Sequence, residues 1–280
     1  MTSSIAAALI ALTLIGAADT INKRARQLDI PIGSYLIIQS IFYSLTVLVL
    51  ALLSTGIKWH SADITYSLLG AIFGFAGFTL MLHSLTYGCA SVNYAIFRSS
   101  FVFSSAAAIL FLSESLSLNK MIAIIAACSA IVLFFLEPKQ RVMANKSLIM
   151  ALAAMLVAAG FQFIVKLSTR VYSSPLSFIL LMNLFFAIFV IIYNILLRNW
   201  KFPRETFLWA PINGVLMASA TFFYVTALHK GELSTAIPVI QLSFIITAIF
   251  SFVFLKERLG SLKIVGIILA TLAVIVLATL

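Results

Sequence analysis

Apolar residues fill the chain from Ile5 to Leu280 in long runs, which short polar clusters separate. A helix needs about 20 apolar residues to cross the hydrocarbon of a bilayer, and ten runs reach that length. The predicted spans 1 to 10 are 3–21, 32–55, 63–86, 91–112, 118–136, 145–169, 174–197, 205–228, 234–255 and 261–280. No connection between them is long enough for a folded domain. The pattern predicts an all-α integral membrane protein with ten transmembrane helices.

Composition and charge agree with this pattern. Hydrophobic residues make up 63% of the chain and charged residues 9%, against about 25% charged residues in an ordinary soluble protein. The net charge of +10 lies in short connections, which is typical of membrane loops and not of a nucleic-acid surface. We therefore expect a multi-pass protein of the cell (plasma) membrane, with the lipid bilayer as a partner and no nucleic acid.

The motifs of catalysis are absent from the sequence. Cys89 and Cys128 lie in separate segments without metal-ligand spacing, and there is no HExxH, GxSxG or pair of facing acids. There is also no GxxxxGK[ST] and no soluble domain to bind ATP. We expect no enzyme, no catalytic residue, no metal, no cofactor and no ATPase partner. The sequence favours a monomer and leaves the oligomeric state open.

The chain repeats itself at an offset of 143 residues. Over 85–137 and its partner segment, 14 of 53 positions are identical, against roughly five that this composition gives by chance. The identical pairs include Ser100/Ser243, Phe101/Phe244, Glu114/Glu257 and Lys120/Lys263. The sequence therefore predicts two five-helix units, residues 1–137 and 145–280.

An odd number of helices makes the second unit enter the membrane from the opposite side. The two units are then inverted-topology five-helix repeats around a central cavity, an arrangement typical of secondary transporters. Such repeats have two equivalent packings, which open the cavity to either side in turn. The alternative is a channel or a structural membrane protein that duplicated without becoming a transporter.

Two short segments carry a resemblance to a known family. Each unit closes its fourth span with a similar motif, Leu112-Ser113-Glu114-Ser115-Leu116 and Leu255-Lys256-Glu257-Arg258-Leu259. These paired motifs resemble those of EamA-type carriers in the drug/metabolite transporter superfamily, and the resemblance covers essentially the whole chain. It implies a cavity lined mainly by spans 1, 3, 4, 6, 8 and 9, peripheral spans 5 and 10, and export or exchange of small metabolites.

Arg98 is the clearest candidate for substrate binding. It lies eight residues into span 4, with Tyr94 one turn before it and Phe101 one turn after it on the same side. An ionisable group in hydrocarbon is costly unless it faces protein or a wet cavity. A guanidinium there can hold a carboxylate or phosphate through two parallel hydrogen bonds. The alternative is an arginine that extends to the interface or pairs with a helix-end carbonyl.

The repeat places Gln241 opposite Arg98 and Phe244 opposite Phe101. Span 9 therefore offers a neutral donor and acceptor where span 4 offers a charge. This contrast favours a small zwitterionic or anionic metabolite with an apolar portion as the substrate. Pro238, three residues before Gln241, frees a backbone carbonyl and favours a kink near the site.

Asp19 is the only carboxylate clearly inside an apolar run, and Lys23 follows it by four residues. One interpretation is an ion pair at the end of the helix, near the interface. The other is a coupling or gating role, in which a buried carboxylate binds and releases a proton. Small multidrug exporters of the same superfamily carry an acid deep in their first helix, but here Leu12 to Ile15 are apolar.

Four further residues complete the candidate set. Glu114 and Glu257 lie at helix ends that disfavour an acid, so a structural role at the turn is expected of them. His83, near the end of span 3, and Tyr224, in span 8, lie within reach of a cavity. A single histidine is more often a packing residue than a proton relay.

The leading hypothesis is a secondary transporter that moves an amino-acid-like molecule or another small organic anion or zwitterion by alternating access. A flippase for a lipid-linked head group and a structural or receptor protein are the alternatives. Orientation stays open, because twelve of the 18 Lys and Arg lie on the side of the first connection, which places the termini outside. The resemblance implies termini inside.

Overall fold

The protein folds entirely into helices over the part of the chain that the structure describes. The structure is a computed structural model, and it describes residues 2–53, 57, 61–87, 90–136, 145–171, 174–197, 200–255 and 260–278. The twelve helices are α1 (Thr2–Gln27), α2 (Ile32–Leu52), α3 (Ser61–Tyr87), α4 (Ala90–Arg98), α5 (Ser100–Leu112), α6 (Leu118–Phe135), α7 (Asn145–Ser168), α8 (Pro175–Leu197), α9 (Thr206–Lys230), α10 (Leu233–Gln241), α11 (Phe244–Leu255) and α12 (Ser261–Ala278).

These helices form the ten expected transmembrane spans. Among the described residues, seven stretches of helix are long and apolar enough to cross a membrane, and shorter apolar helices form the other spans. Spans 4 and 9 each consist of two helices, α4–α5 and α10–α11. The first helix differs from its predicted span, because α1 continues to Gln27 and not to residue 21. The polar residues after Thr20 contain no helix breaker, and lysine and arginine are good helix formers.

The two halves are inverted repeats in the register that the sequence indicates. Each of α1 to α6 corresponds to one of α7 to α12 at the offset of 143. Hydrogen bonds repeat at the same offset: Ser4 donates to the carbonyl of Ala227 at 2.8 Å, and Ser147 donates to that of Ser84 at 2.9 Å. The first bond joins α1 to α9, and the second joins α7 to α3. Equivalent helices therefore pack in equivalent ways across the two halves.

Two contacts mark the pseudo-two-fold axis between the halves. Arg98 donates from Nη1 to Oε1 of Gln241 at 2.9 Å, and Asn183 donates to the carbonyl of Ser40 at 3.0 Å. The residues of each pair are separated by 143 positions, so each residue touches its own repeat equivalent. The axis consequently passes through the centre of the bundle, between α4 and α10 and between α2 and α8. α6 and α12 pack mainly on each other, at its edge.

The breaks in spans 4 and 9 have the same backbone geometry. The amide of Ser99 bonds to the carbonyl of Ile96 at 3.1 Å, and the amide of Leu242 bonds to that of Val239 at 3.1 Å. In both bonds the amide reaches the carbonyl three residues before it, as in a 3₁₀ helix, so the chain forms a 3₁₀-like turn at equivalent positions. Pro238 lies inside α10, but Ala95 holds the equivalent position in α4, which ends at the same place. The proline is therefore not required for the break.

Gly16 allows α1 to approach the second break closely. A Cβ atom at this position would lie 2.5 Å from Cβ of Ile246 and 2.7 Å from the carbonyl oxygen of Ser243. Real Cβ atoms do not approach other atoms so closely, and the carbonyl belongs to backbone that cannot easily move. Gly16 is thus a packing requirement of the turn that ends α10.

We predict that Gly16→Ala destabilises the protein by about 1–3 kcal/mol, because the added methyl group overpacks the contact between α1 and the break. The melting temperature of purified protein in detergent measures the effect. Gly74→Ala is the matched control, since its Cβ would meet Phe161 at an ordinary 3.4 Å. Equal melting temperatures for the two variants would contradict the close approach at Gly16.

Candidate functional site

A central cavity of about 200 Å³ lies between the two repeats. Side chains of α1, α2, α3 and α4 line it from the first half, and those of α7, α8, α9 and α10 line it from the second. All the spans that the family resemblance implies, spans 1, 3, 4, 6, 8 and 9, contribute residues to the cavity wall. The helices α2 and α8, which form spans 2 and 7, contribute residues as well. Many lining residues form repeat-equivalent pairs, among them Asp19/Gln162, Ser40/Asn183, Tyr43/Phe186, Met81/Tyr224 and Arg98/Gln241.

Arg98 is the last residue of α4 and lies at the pseudo-two-fold axis. Its side chain is 6% exposed and forms a salt bridge from Nη2 to the carboxylate of Asp19 on α1. Nη1 donates to Gln241 on α10, and the guanidinium lies 5.5 Å from the ring centre of Phe97 and 6.0 Å from that of Tyr94. The guanidinium at the break in span 4 therefore contacts both halves of the molecule.

Asp19 lies in the cavity wall and is 4% exposed. Its salt bridge with Arg98 was not predicted from the sequence. The partner considered there was Lys23, because it follows Asp19 by four residues. Lys23 lies one turn further along α1, is half-buried and does not line the cavity. Arg98 and Asp19 together form a neutral pair inside the protein.

The second half contributes amides to this layer, and they bond to hydroxyls of α5 in the first half. Gln162, the repeat equivalent of Asp19, donates to Ser100 at 2.8 Å and accepts a hydrogen bond from Ser104 at 2.5 Å. Ser100 also accepts from Gln241 at 3.5 Å. Gln162 was not predicted as a site residue, although a glutamine within an apolar span, 143 residues after Asp19, indicates a polar contact there. A continuous polar layer therefore crosses the cavity.

Two donors at the cavity have no hydrogen-bond partner among the described residues. They are Nε of Arg98 and the hydroxyl of Tyr224, and both side chains are more than nine-tenths buried. Buried donors without partners are rare in folded proteins, because each costs about 1–3 kcal/mol. Both donors belong to residues that line the cavity, so an acceptor group bound there would satisfy them.

Aromatic side chains form much of the remaining wall. They are Tyr43, Phe73, Phe78, Tyr94, Phe97, Phe161, Phe186 and Tyr224. Gly70, Gly74 and Gly77 on α3 leave space between these rings. The cavity therefore combines one charged and hydrogen-bonding layer with an apolar, aromatic volume.

Three of the substrate-binding candidates lie away from the cavity. Phe101 and Phe244 follow the two breaks and are packed in the hydrophobic core, at 0% and 5% exposure. The turns at Ser99 and Leu242 rotate the helix after each break relative to the helix before it. The expectation that Phe101 shares the face of Arg98, and Phe244 that of Gln241, assumed a continuous helix and does not hold. His83 donates from Nδ1 to the carbonyl of Thr79 at 2.9 Å, its Nε2 lies 3.3 Å from the hydroxyl of Tyr193, and it does not line the cavity.

The cavity is closed differently by the two half-helices α4 and α10. Tyr94 and Phe97 of α4 line it, whereas their repeat equivalents Ile237 and Ile240 of α10 are fully buried. α10 packs against α5 more extensively than α4 packs against α11. The two halves of the structure are therefore not in the same state around the cavity.

Charged residues hold the N-terminus of α10 in this closed packing. Ser113, in a left-handed conformation with φ 58°, ends α5 and is followed by Glu114. The Glu114 carboxylate accepts from the backbone amides of Leu233 and Ser234, each at 2.8 Å. Lys120 pairs with Glu232, the residue before α10. Glu114 thus caps a helix of the other half, and Glu257 lies outside the described residues.

The sequence matches the EamA-like transporter family twice, over residues 2–136 and 145–279. A solved structure described only as the crystal structure of a protein superposes with a TM-score of 0.75 at 11% identity, and the match covers 95% of each chain. At that identity the likeness concerns the fold alone. No curated protein matches the sequence.

We predict that Glu114→Gln lowers the stability by about 0.5–2 kcal/mol, because an amide offers one oxygen to two backbone donors and no charge to the helix N-terminus. The melting temperature of the purified protein measures the loss. Glu205→Gln is the control, since Glu205 is exposed at the start of α9 and makes no side-chain cap. A transport defect in Glu114→Gln at unchanged stability would contradict the capping role.

Proposed function

The chain belongs to the EamA-like transporter family, and we propose that it is a secondary transporter for a small organic anion or zwitterion with an apolar portion. It works by alternating access in the cell (plasma) membrane, as an exporter or an exchanger. It acts as a monomer without an ATPase partner, cofactor or catalytic residue, and gradients or exchange drive it.

One observation carries the proposed substrate class. Arg98 and Tyr224 line the cavity, each has a buried donor without a hydrogen-bond partner among the described residues, and Arg98 also supplies a positive charge. A carboxylate or phosphate accepts hydrogen bonds from such donors and gains charge-assisted strength at the guanidinium. The aromatic walls around this layer fit an apolar portion of the same molecule. An amino-acid-like molecule has both features.

Alternating access is supported by the inverted repeats and their asymmetry. The half-helix α10 is capped and packed against α5, whereas α4 leaves Tyr94 and Phe97 on the cavity. Exchange of these two packings between the halves would close the α4 side and open the α10 side. Discontinuous helices beside a midplane site are the common way in which transporter folds achieve this.

We predict that small carboxylate-bearing metabolites raise the melting temperature of the purified protein in a screen of amino acids, organic acids, sugars, nucleotides and lipophilic cations. A ligand that binds only the folded state stabilises it by about 2.7 kcal/mol at 100 times its Kd. Tyr224→Phe removes one donor without removing the ring, so the affinity should fall about tenfold. Arg98→Ala should abolish the response to carboxylates while the protein remains monodisperse.

Tyr193→Phe is the control, because it also removes a hydroxyl group but lies outside the cavity. It should bind like the wild type. Stabilisation only by lipid head groups, unaffected by Arg98→Ala, would favour a flippase. Stabilisation by no compound of any class would favour a structural or receptor protein.

A further inference from the structure

We infer that the cavity accepts only cargo of zero net charge: a zwitterion enters alone, and a monoanion enters together with one proton, which Asp19 receives. This inference deepens the proposed function and rests on it. It concerns the charge balance of the site and follows from the geometry of the Asp19–Arg98 pair.

The cavity has no net charge before a substrate binds. Asp19 and Arg98 are the only charged residues among the described residues that line the cavity, and they pair with each other. Both are at least nine-tenths buried. Their repeat equivalents, Gln162 and Gln241, are neutral. An added anion would therefore leave an uncompensated negative charge in a weakly polarisable interior, which costs several kcal/mol.

Asp19 occupies only part of the edge of Arg98 that a carboxylate prefers. The guanidinium presents the N–H groups of Nε and Nη2 in parallel on one edge, and this edge binds a carboxylate through two hydrogen bonds. Asp19 uses Nη2 only, and Nε has no partner among the residues that the structure describes. Nη1 is held by Gln241. A substrate carboxylate that binds Nε and Nη2 together competes with Asp19 for Nη2, and in the inferred binding mode it displaces Asp19.

Displaced Asp19 needs a new positive partner. The titratable and charged groups around it are Arg98 and Tyr94 on α4, Tyr35 on α2, Tyr224 on α9 beside Arg98, and Lys23 one turn along α1. α10 and α11 carry no titratable residue, and His83 of α3 faces Tyr193. The ammonium group of a zwitterion supplies the positive charge directly. A monoanion does not, so the Asp19 carboxylate binds a proton from water instead.

The proton balance distinguishes the two cases. Binding of a monoanion takes up one proton, so its affinity falls about tenfold for each pH unit of increase. Binding of the matched zwitterion takes up none, and its affinity does not change over the same pH range. The probes are 4-methylpentanoate and L-leucine, which differ only in the α-ammonium group and fit the apolar wall.

The test is isothermal titration of each acid into the detergent-purified protein, in HEPES and in Tris buffer. The dependence of the binding heat on the ionisation enthalpy of the buffer gives the number of protons taken up. We expect about one proton for 4-methylpentanoate and about zero for L-leucine. In Asp19→Asn, 4-methylpentanoate should bind without proton uptake and without dependence on pH.

Asp19→Gln/Arg98→Gln is the folding control, because the second half already builds this layer from Gln162 and Gln241. It should fold and bind neither acid. Proton uptake near zero for 4-methylpentanoate in the wild type, or equal uptake in Asp19→Asn, would overturn the inference and leave the proposed function standing. Failure of both acids, and of the other carboxylates in the screen, to bind the folded wild type would overturn the proposed function itself.

Discussion

The buried salt bridge between Arg98 and Asp19 is the interaction on which the centre of this protein depends. Each charge alone would be costly at this depth, so the pairing fixes the position of both side chains. The pair joins α1 to the end of α4, and the second hydrogen bond of Arg98 joins α4 to α10 across the halves. The turn that ends α4, the polar layer and the cavity all lie around this one contact.

Much of the architecture could be predicted from the sequence, because lipid imposes strong rules on length and composition. Ten apolar runs gave the spans, and the identity of Glu114 with Glu257 and of Phe101 with Phe244 gave the repeat. The offset of 143 residues also holds in the structure, where Arg98 contacts Gln241, its repeat equivalent. Both residues were chosen for their unusual polarity within a span, and both line the cavity.

The unpredicted features depend on contacts between distant segments. Span 4 has no proline or glycine at Ser99, and its apolar length fits one continuous helix, so its break could not be recognised. Straight extension of the helix face then placed Phe101 and Phe244 in the cavity and not in the core. The choice of Lys23 as the partner of Asp19 followed from local spacing. Arg98, 79 positions away, is a partner that only the packing of α4 on the axis provides.

The contacts of Arg98 with Gln241 and of Asn183 with Ser40 also bear on the ancestry of the protein. Two separate copies of one five-helix unit, paired in opposite orientations, would place identical side chains on both sides of the axis. Arginine at this position would then face arginine within contact distance, and the repulsion would oppose assembly. Glutamine facing glutamine has no such cost. The charge at the axis therefore belongs to a fused chain, in which one half can change while the other half stays neutral.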